Sequence, residues 1–235
     1  MGQPLLDDPF FYILFAYERD IIMTKLLMVR HGQSEANSLG IFAGNHDIEL
    51  TELGHKQAQC TADFIAENYT VDKVYASDLK RAFKTAEYIA EKFGLDVIPD
   101  EKFREISAGK WEGEKFDVIT EKYAEDWQKW RTDIGNAGCT DGENVNELAK
   151  RVCDELKKVA EDNVGKTVVI GTHATPVRIA QCFFGGYTLD EMKDIPWVSN
   201  ASVTELNYDE GKLVLVEVGM DGHLNEYKSE LPANV

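Results

Sequence analysis

Leu26-Leu27-Met28-Val29-Arg30-His31-Gly32 decides the reading of this chain. Five residues, Lys25 to Val29, form a short and nearly continuous apolar run of the kind that suits a strand covered on both faces. The run ends abruptly in a cation, an imidazole and a glycine, so the strand delivers Arg30 and His31 to its C-terminal end.

Working outward, strand and helix patterns alternate from Met23 onward, as expected for a sheet with helices on its faces. Thr51 to Asn68 predicts a helix with Thr51 as N-cap and Ala58, Ala62 and Ile65 facing the core. Val71 to Ala76 reads as a second strand. Ser77 is placed to cap the next helix, whose apolar stripe runs Leu79, Ala82, Phe83, Ala86, Ile89, Ala90 and Phe93 before Gly94 stops it. Leu95 to Ile98, stopped by Pro99, reads as a third strand. Phe116, Ile119, Tyr123, Trp127 and Trp130 form an aromatic helical patch, read as core or lid packing in preference to a cofactor box. A loop over Thr132–Gly142 leads to a helix with Val145, Leu148, Val152, Leu156 and Val159 on one face. Lys166 to Thr172 is a buried-type strand, and Ser202–Tyr208 with Lys212–Val218 predicts a hairpin around Asp209-Glu210-Gly211.

The cations and histidines fall at corresponding places in this pattern. Arg30 and His31 follow one strand, Arg81 lies in the first turn of the helix after another, and His173 follows a third. In open α/β sheets that edge is where ligands bind. Each residue alone reads as an ordinary loop or surface side chain; together they make a cationic cluster that repels itself unless an anion sits among them. A phosphoryl group answers that need, because arginine binds its oxygens in a planar fork, a neutral imidazole attacks phosphorus and a second, protonated imidazole stabilises the equatorial oxygens. Glu105 and Glu112 in Phe103–Gly113 are the candidate acids, with Glu105 favoured as following a short strand to the same rim. His46, His55 and His223 have no comparable context. A metal on His31 and His173 is disfavoured by the two neighbouring arginines.

Composition bounds the alternatives. The 235 residues carry 25 Lys and Arg against 42 Asp and Glu, a net charge of −17. That excess argues against nucleic acid or an anionic membrane surface as the main partner. The cysteines Cys60, Cys139, Cys153 and Cys182 show no metal-ligand spacing and read as reduced thiols of a cytoplasmic protein. The apolar run Phe10–Ala16 is too short to span a bilayer, and Asp7 and Asp8 precede it where a signal peptide carries basic residues. Residues 1–22 therefore read as a dispensable extension of unknown role before Met23, or as an upstream misread start, and 23–235 as a single domain.

Residues 26–37, Leu-Leu-Met-Val-Arg-His-Gly-Gln-Ser-Glu-Ala-Asn, resemble the signature of the histidine phosphatase superfamily, the group of phosphoglycerate mutases and related phosphatases. The resemblance continues through Gly44-Asn45-His46-Asp47, Leu50–Gly54, Gln57-Ala58 and Ala76–Ala82 with Thr85-Ala86. It then runs through Arg104-Glu105, Gly109–Gly113, Gly142-Glu143 and Gly171-Thr172-His173, in the family's order. It implies an α/β three-layer sandwich, phosphoglycerate mutase-like, with a mostly parallel central sheet flanked by helices. It also implies a phosphoric monoester hydrolase of the phosphatase branch acting on a small phosphorylated metabolite, with no metal or organic cofactor. By the same resemblance His31 is the nucleophile, and Arg30, Asn37, Arg81 and His173 hold the phosphate. Glu105 is the general acid and then base, and Ser34 and the backbone around Gly44 line the substrate side. Ala174 stands where the family carries glycine, and Ala43 where mutases tend to carry a hydroxyl, which weakens the mutase alternative. A second alternative, a catalytically silent binding protein on the same fold, is opposed by the joint presence of His31, Arg81, Glu105 and His173. Neither the ester nor the oligomeric state follows from the sequence.

Overall fold

A computed structural model describes residues 23–229, so the expected extension over residues 1–22 lies outside the described residues. β1 (Thr24–Arg30) sits inside a six-stranded sheet of order β3-β2-β4-β1-β5-β6. It pairs in parallel with β4 (Thr167–Thr172) and antiparallel with β5 (Val203–Asp209). β2 (Lys73–Ala76) joins β4, and β3 (Val97–Pro99) joins β2, both in parallel. β6 (Lys212–Met220) closes the far edge antiparallel to β5. The apolar run of β1 is continuous because both faces of the sheet are covered. Leu26 and Met28 enter one core, and Leu27 and Val29 the other.

The helices supply the two outer layers. After the short helix α1 (Glu35–Leu39), α2 (Glu52–Asn68) and α3 (Lys80–Phe93) cover one face through Ala62, Ile65, Ala86 and Ile89. On the other face lie α4 (Phe116–Lys122), α5 (Ala124–Thr132), α6 (Val145–Glu161) and α7 (Ala174–Phe184). The expected three-layer α/β fold with a mostly parallel sheet is therefore present. Thr51 caps α2, its Oγ1 accepting from Gly54 N at 3.0 Å. The expected hairpin turns on Glu210 and Gly211, with φ of 48° and 84°, the left-handed pair that a two-residue hairpin loop requires.

Local boundaries differ from expectation in four places. Val71 is buried, but strand pairing starts only at Lys73. β3 begins only at Val97 and takes in Pro99 as its last residue, opposite Ala76, where an edge strand tolerates its missing N–H. α3 begins at Lys80 with Leu79 as N-cap, and the Ser77 hydroxyl also meets a histidine. The aromatic patch is two helices, broken at Tyr123. Among the described residues no helix is long and apolar enough to cross a membrane. All four cysteines fall among these residues and are free.

Candidate active site

Because β2, β4 and β1 are parallel neighbours, their C-terminal ends lie side by side and bring Ser77, His173 and His31 together. The His31 and His173 ring centroids are 5.1 Å apart. His31 is 4% exposed, and its Nδ1 lies 2.7 Å from Gly32 O. A carbonyl only accepts, so Nδ1 carries the proton and Nε2 keeps its lone pair. Burial, reinforced by Arg81 and Arg30, holds this imidazole well below its ordinary pKa, so it is neutral at neutral pH. Gly32 is required where the chain leaves β1: a Cβ there would sit 2.4 Å from Gly54 O of α2.

Arg30 donates through Nη1 to Val198 O at 2.6 Å, and Arg81 donates to His46 O at 2.9 Å and Gly44 O at 2.7 Å. Both Nε–H groups are buried without a protein acceptor among the described residues. Burial lowers each guanidinium to about 10, opposed chiefly by the attraction of Glu105, so both stay charged at neutral pH. His173, fully buried, is also pushed well below its ordinary value by burial and by Arg81. The expected protonated second imidazole is therefore corrected: burial keeps His173 neutral at neutral pH. Its Nε2 meets Ser77 Oγ at 2.9 Å, and its Nδ1 is unpartnered among the described residues.

The other expected site residues converge on the same cavity, which is lined by Arg30, His31, Ser34, Asn37, Gly44, Arg81 and Glu105. Glu105 Oε1 accepts from Ile106 N at 2.8 Å and Oε2 from Thr175 N at 3.3 Å, at the start of α7. Glu105 follows a single 3-10 turn, Glu101–Phe103, that intervenes after β3, where a strand directly before it was expected. Asn37 Oδ1 accepts from Ser34 N, Ser34 Oγ and Asn200 Nδ2, which leaves the Asn37 Nδ2 donors for the cavity. Ser34 is fully buried and its hydroxyl is spent on the cap of α1, so it lines the cavity without a hydroxyl free to face it. Gly44 presents its carbonyl to Arg81.

Glu112, one of the two candidate acids, has a bracing role instead, and Arg151 and Asn200 escaped the sequence reading. Glu112 accepts from Asn45 N and Ala108 N with Oε1 and from His46 N with Oε2, so it straps down the loop whose carbonyls hold Arg81. Arg151 of α6 donates to Glu105 O at 2.8 Å and Arg104 O at 2.9 Å, and pairs with Glu143 at 2.7 Å. Asn200 Nδ2 donates to His31 O at 3.0 Å. The bonds of Arg151 to Glu105 and of Asn200 to His31 span about 50 and 170 positions, so no local pattern announces them. Among the described residues no group of three or more His, Cys, Asp or Glu side chains is arranged to hold a metal ion.

Comparison with known proteins agrees with this geometry. The family model described as histidine phosphatase superfamily (branch 1) matches residues 26–221. The chain is 33% identical to phosphoserine phosphatase 1 of Hydrogenobacter thermophilus over 88% of its own length and 98% of that protein's. It is 30% identical to a 2,3-bisphosphoglycerate-dependent phosphoglycerate mutase of Thermoplasma acidophilum over 86% and 96%. Among solved structures, a mutant phosphoserine phosphatase from Entamoeba histolytica in complex with phosphoserine superposes with a TM-score of 0.75 at 27% identity, covering 86% of this chain and 99% of that one. With a neutral histidine and two buried arginines converging at the sheet edge, and the family model spanning most of the chain, this protein belongs to the histidine phosphatase superfamily, branch 1.

Proposed function

We propose that the chain is a metal-independent phosphomonoesterase that hydrolyses a small phosphorylated metabolite through a phosphohistidine on His31. The observation that carries this is the tautomer of His31: Nδ1 donates to Gly32 O, and the ring is buried neutral beside two guanidiniums that keep unpaired donors. Nε2 attacks phosphorus, the bond to the leaving oxygen breaks with its electron pair, and that oxygen takes the proton of Glu105. Glu105, now a carboxylate, removes a proton from water as the water oxygen attacks phosphorus. The P–N bond breaks, its pair returns to Nε2, and inorganic phosphate leaves. Arg30, Arg81 and Asn37 Nδ2 donate to the equatorial oxygens throughout. His173 joins them through Nδ1–H, in the neutral tautomer whose Nε2 accepts a hydrogen bond from the Ser77 hydroxyl.

Relatives of similar identity carry both phosphatase and mutase names, so the names alone do not choose between transfer to water and transfer back to a bound acceptor. The small Ala43 in the cavity wall, where mutases tend to carry a hydroxyl, supports water as the acceptor. The unpaired thiols support a reducing, cytoplasmic setting. The test is a rapid-quench experiment into alkaline SDS with labelled substrate and EDTA present. The expected product is a phosphoprotein that is acid-labile and base-stable, formed by the native chain and absent from His31→Ala together with turnover. Metal dependence, or a labelled and active His31→Ala protein, refutes the mechanism. Interconversion of 3- and 2-phosphoglycerate faster than phosphate release supports the mutase.

A further inference from the structure

The cavity has two chemically distinct ends. Among the described residues its ionisable lining groups are Arg30, His31, Arg81 and Glu105, and all four belong to the phosphoryl end. The remainder is walled chiefly by Ile41, Phe42, Phe116, Trp127, Trp130 and Trp197. These rings are braced against one another. Phe42 meets Trp130 edge-on with centroids 5.7 Å apart and Phe116 at 6.2 Å, and Phe116 lies 5.8 Å from Trp127. Trp127 and Trp130 are also anchored in the core, 6% and 4% exposed, and the Arg178 guanidinium sits 4.1 Å over the Trp197 ring. Arg178 lies behind that ring and is not among the residues lining this cavity; its Nη2 donates to Met192 O.

A phosphorylated amino acid needs a cation for its carboxylate and an acceptor for its ammonium, and buried charges without partners are strongly penalised. Among the described residues that wall the aromatic end, none carries an ionisable side chain to supply either. A planar apolar leaving group would instead replace water against preformed aromatic faces, with the stacking and edge-to-face geometry that such rings prefer. We infer that this phosphatase selects phosphomonoesters whose alcohol carries an aryl or arylalkyl body, in preference to phosphoserine and other charged small esters. The inference rests on the phosphatase reading for its chemistry, but the selectivity itself is a property of the cavity.

Two measurements on the full chain separate these. The first is equilibrium binding of phosphonates, which need no turnover: 3-phenylpropylphosphonate against 2-amino-4-phosphonobutanoate, followed by tryptophan fluorescence. The aryl probe is expected to bind at least about tenfold tighter, or roughly 1.4 kcal/mol. The second is kcat/KM for 2-phenylethyl phosphate against O-phosphoserine. The serine alcohol is the better leaving group, so an aryl preference cannot arise from leaving-group chemistry. The same ratio of about tenfold or more is expected there. Trp197→Ala and the half-buried Phe116→Ala each narrow both ratios; two variants guard against one failing to fold. A binding ratio at or below one in the native chain overturns the selectivity. A retained binding ratio with neither ester hydrolysed supports the selectivity and overturns the phosphatase reading instead.

Discussion

At the scale of single residues, the chemistry turns on which atom of His31 is free. The short contact from Nδ1 to Gly32 O pins the proton there and leaves Nε2 with its lone pair, the atom the proposed mechanism uses. Glu105 is held by the amides of Ile106 and Thr175, so its carboxyl is oriented before substrate arrives. If Glu105 protonates the leaving oxygen, its loss must depend on how much the leaving group needs that proton. Glu105→Gln is expected to lower kcat/KM for an alkyl phosphate by roughly 10²–10⁴ and for p-nitrophenyl phosphate far less, since a nitrophenolate departs unprotonated. Steady-state rates on the two esters decide this, and an equal loss on both removes Glu105 as the proton donor.

At the scale of elements, the site is as good as the contacts that fix the β1–α1 loop and the Gly44–His46 loop. α2 presses on the first so closely that neither Gly32 nor Gly54 tolerates a side chain; a Cβ on Gly54 would stand 2.0 Å from Gln33 O. Gly32→Ala is expected to destabilise the protein by about 1–3 kcal/mol in urea unfolding and to lose activity beyond what that explains. Full stability in this variant means α2 moves freely away and does not set the position of His31. The second loop hangs on Glu112, which serves three backbone amides. Glu112→Ala strands those donors and releases the carbonyls that hold Arg81. A stability loss of about 1–3 kcal/mol is expected with a raised KM, and an unchanged KM would show that Arg81 is held without the strap.

For the molecule as a whole, a chain of net charge −17 gathers two buried guanidiniums and two imidazoles at one rim of its sheet. Desolvation keeps both imidazoles neutral in the folded state, whereas unfolding lets them titrate near their ordinary value. Between the depressed folded pKa and about 6.5 the unfolded chain therefore binds more protons, so these groups make stability rise with pH and fall as the pH drops below about 6.5. Each histidine contributes a slope of up to about 1.4 kcal/mol per pH unit in that window. Urea unfolding at pH 5, 6 and 7 is expected to show this fall, shallower in His31→Ala and in His173→Ala. Identical slopes in the native chain and both variants would mean that the imidazoles are not buried neutral.

The β1 run, the α2 and α3 stripes and the β5–β6 turn were legible in the sequence because each rests on local rules: side-chain periodicity, a capping hydroxyl, a glycine with positive φ. The cluster of Arg30, His31, Arg81, Glu105 and His173 was legible for a related reason, since a parallel strand puts the residues after it on a predictable rim. Ser77 shows where local reading stops. It sits where a helix cap belongs and accepts from Leu79 N at 3.3 Å, but the neighbouring strand also brings His173 within 2.9 Å of its hydroxyl. The same holds for Arg151 behind Glu105, Asn200 beside His31, and Trp197 facing the cavity. By itself the sequence determined the layers of this protein and the phosphoryl end of its cavity, both products of near-neighbour patterns. Only the tertiary structure decided how that end is braced and that the other end is aromatic, because those contacts join segments whose separation along the chain leaves no periodic trace.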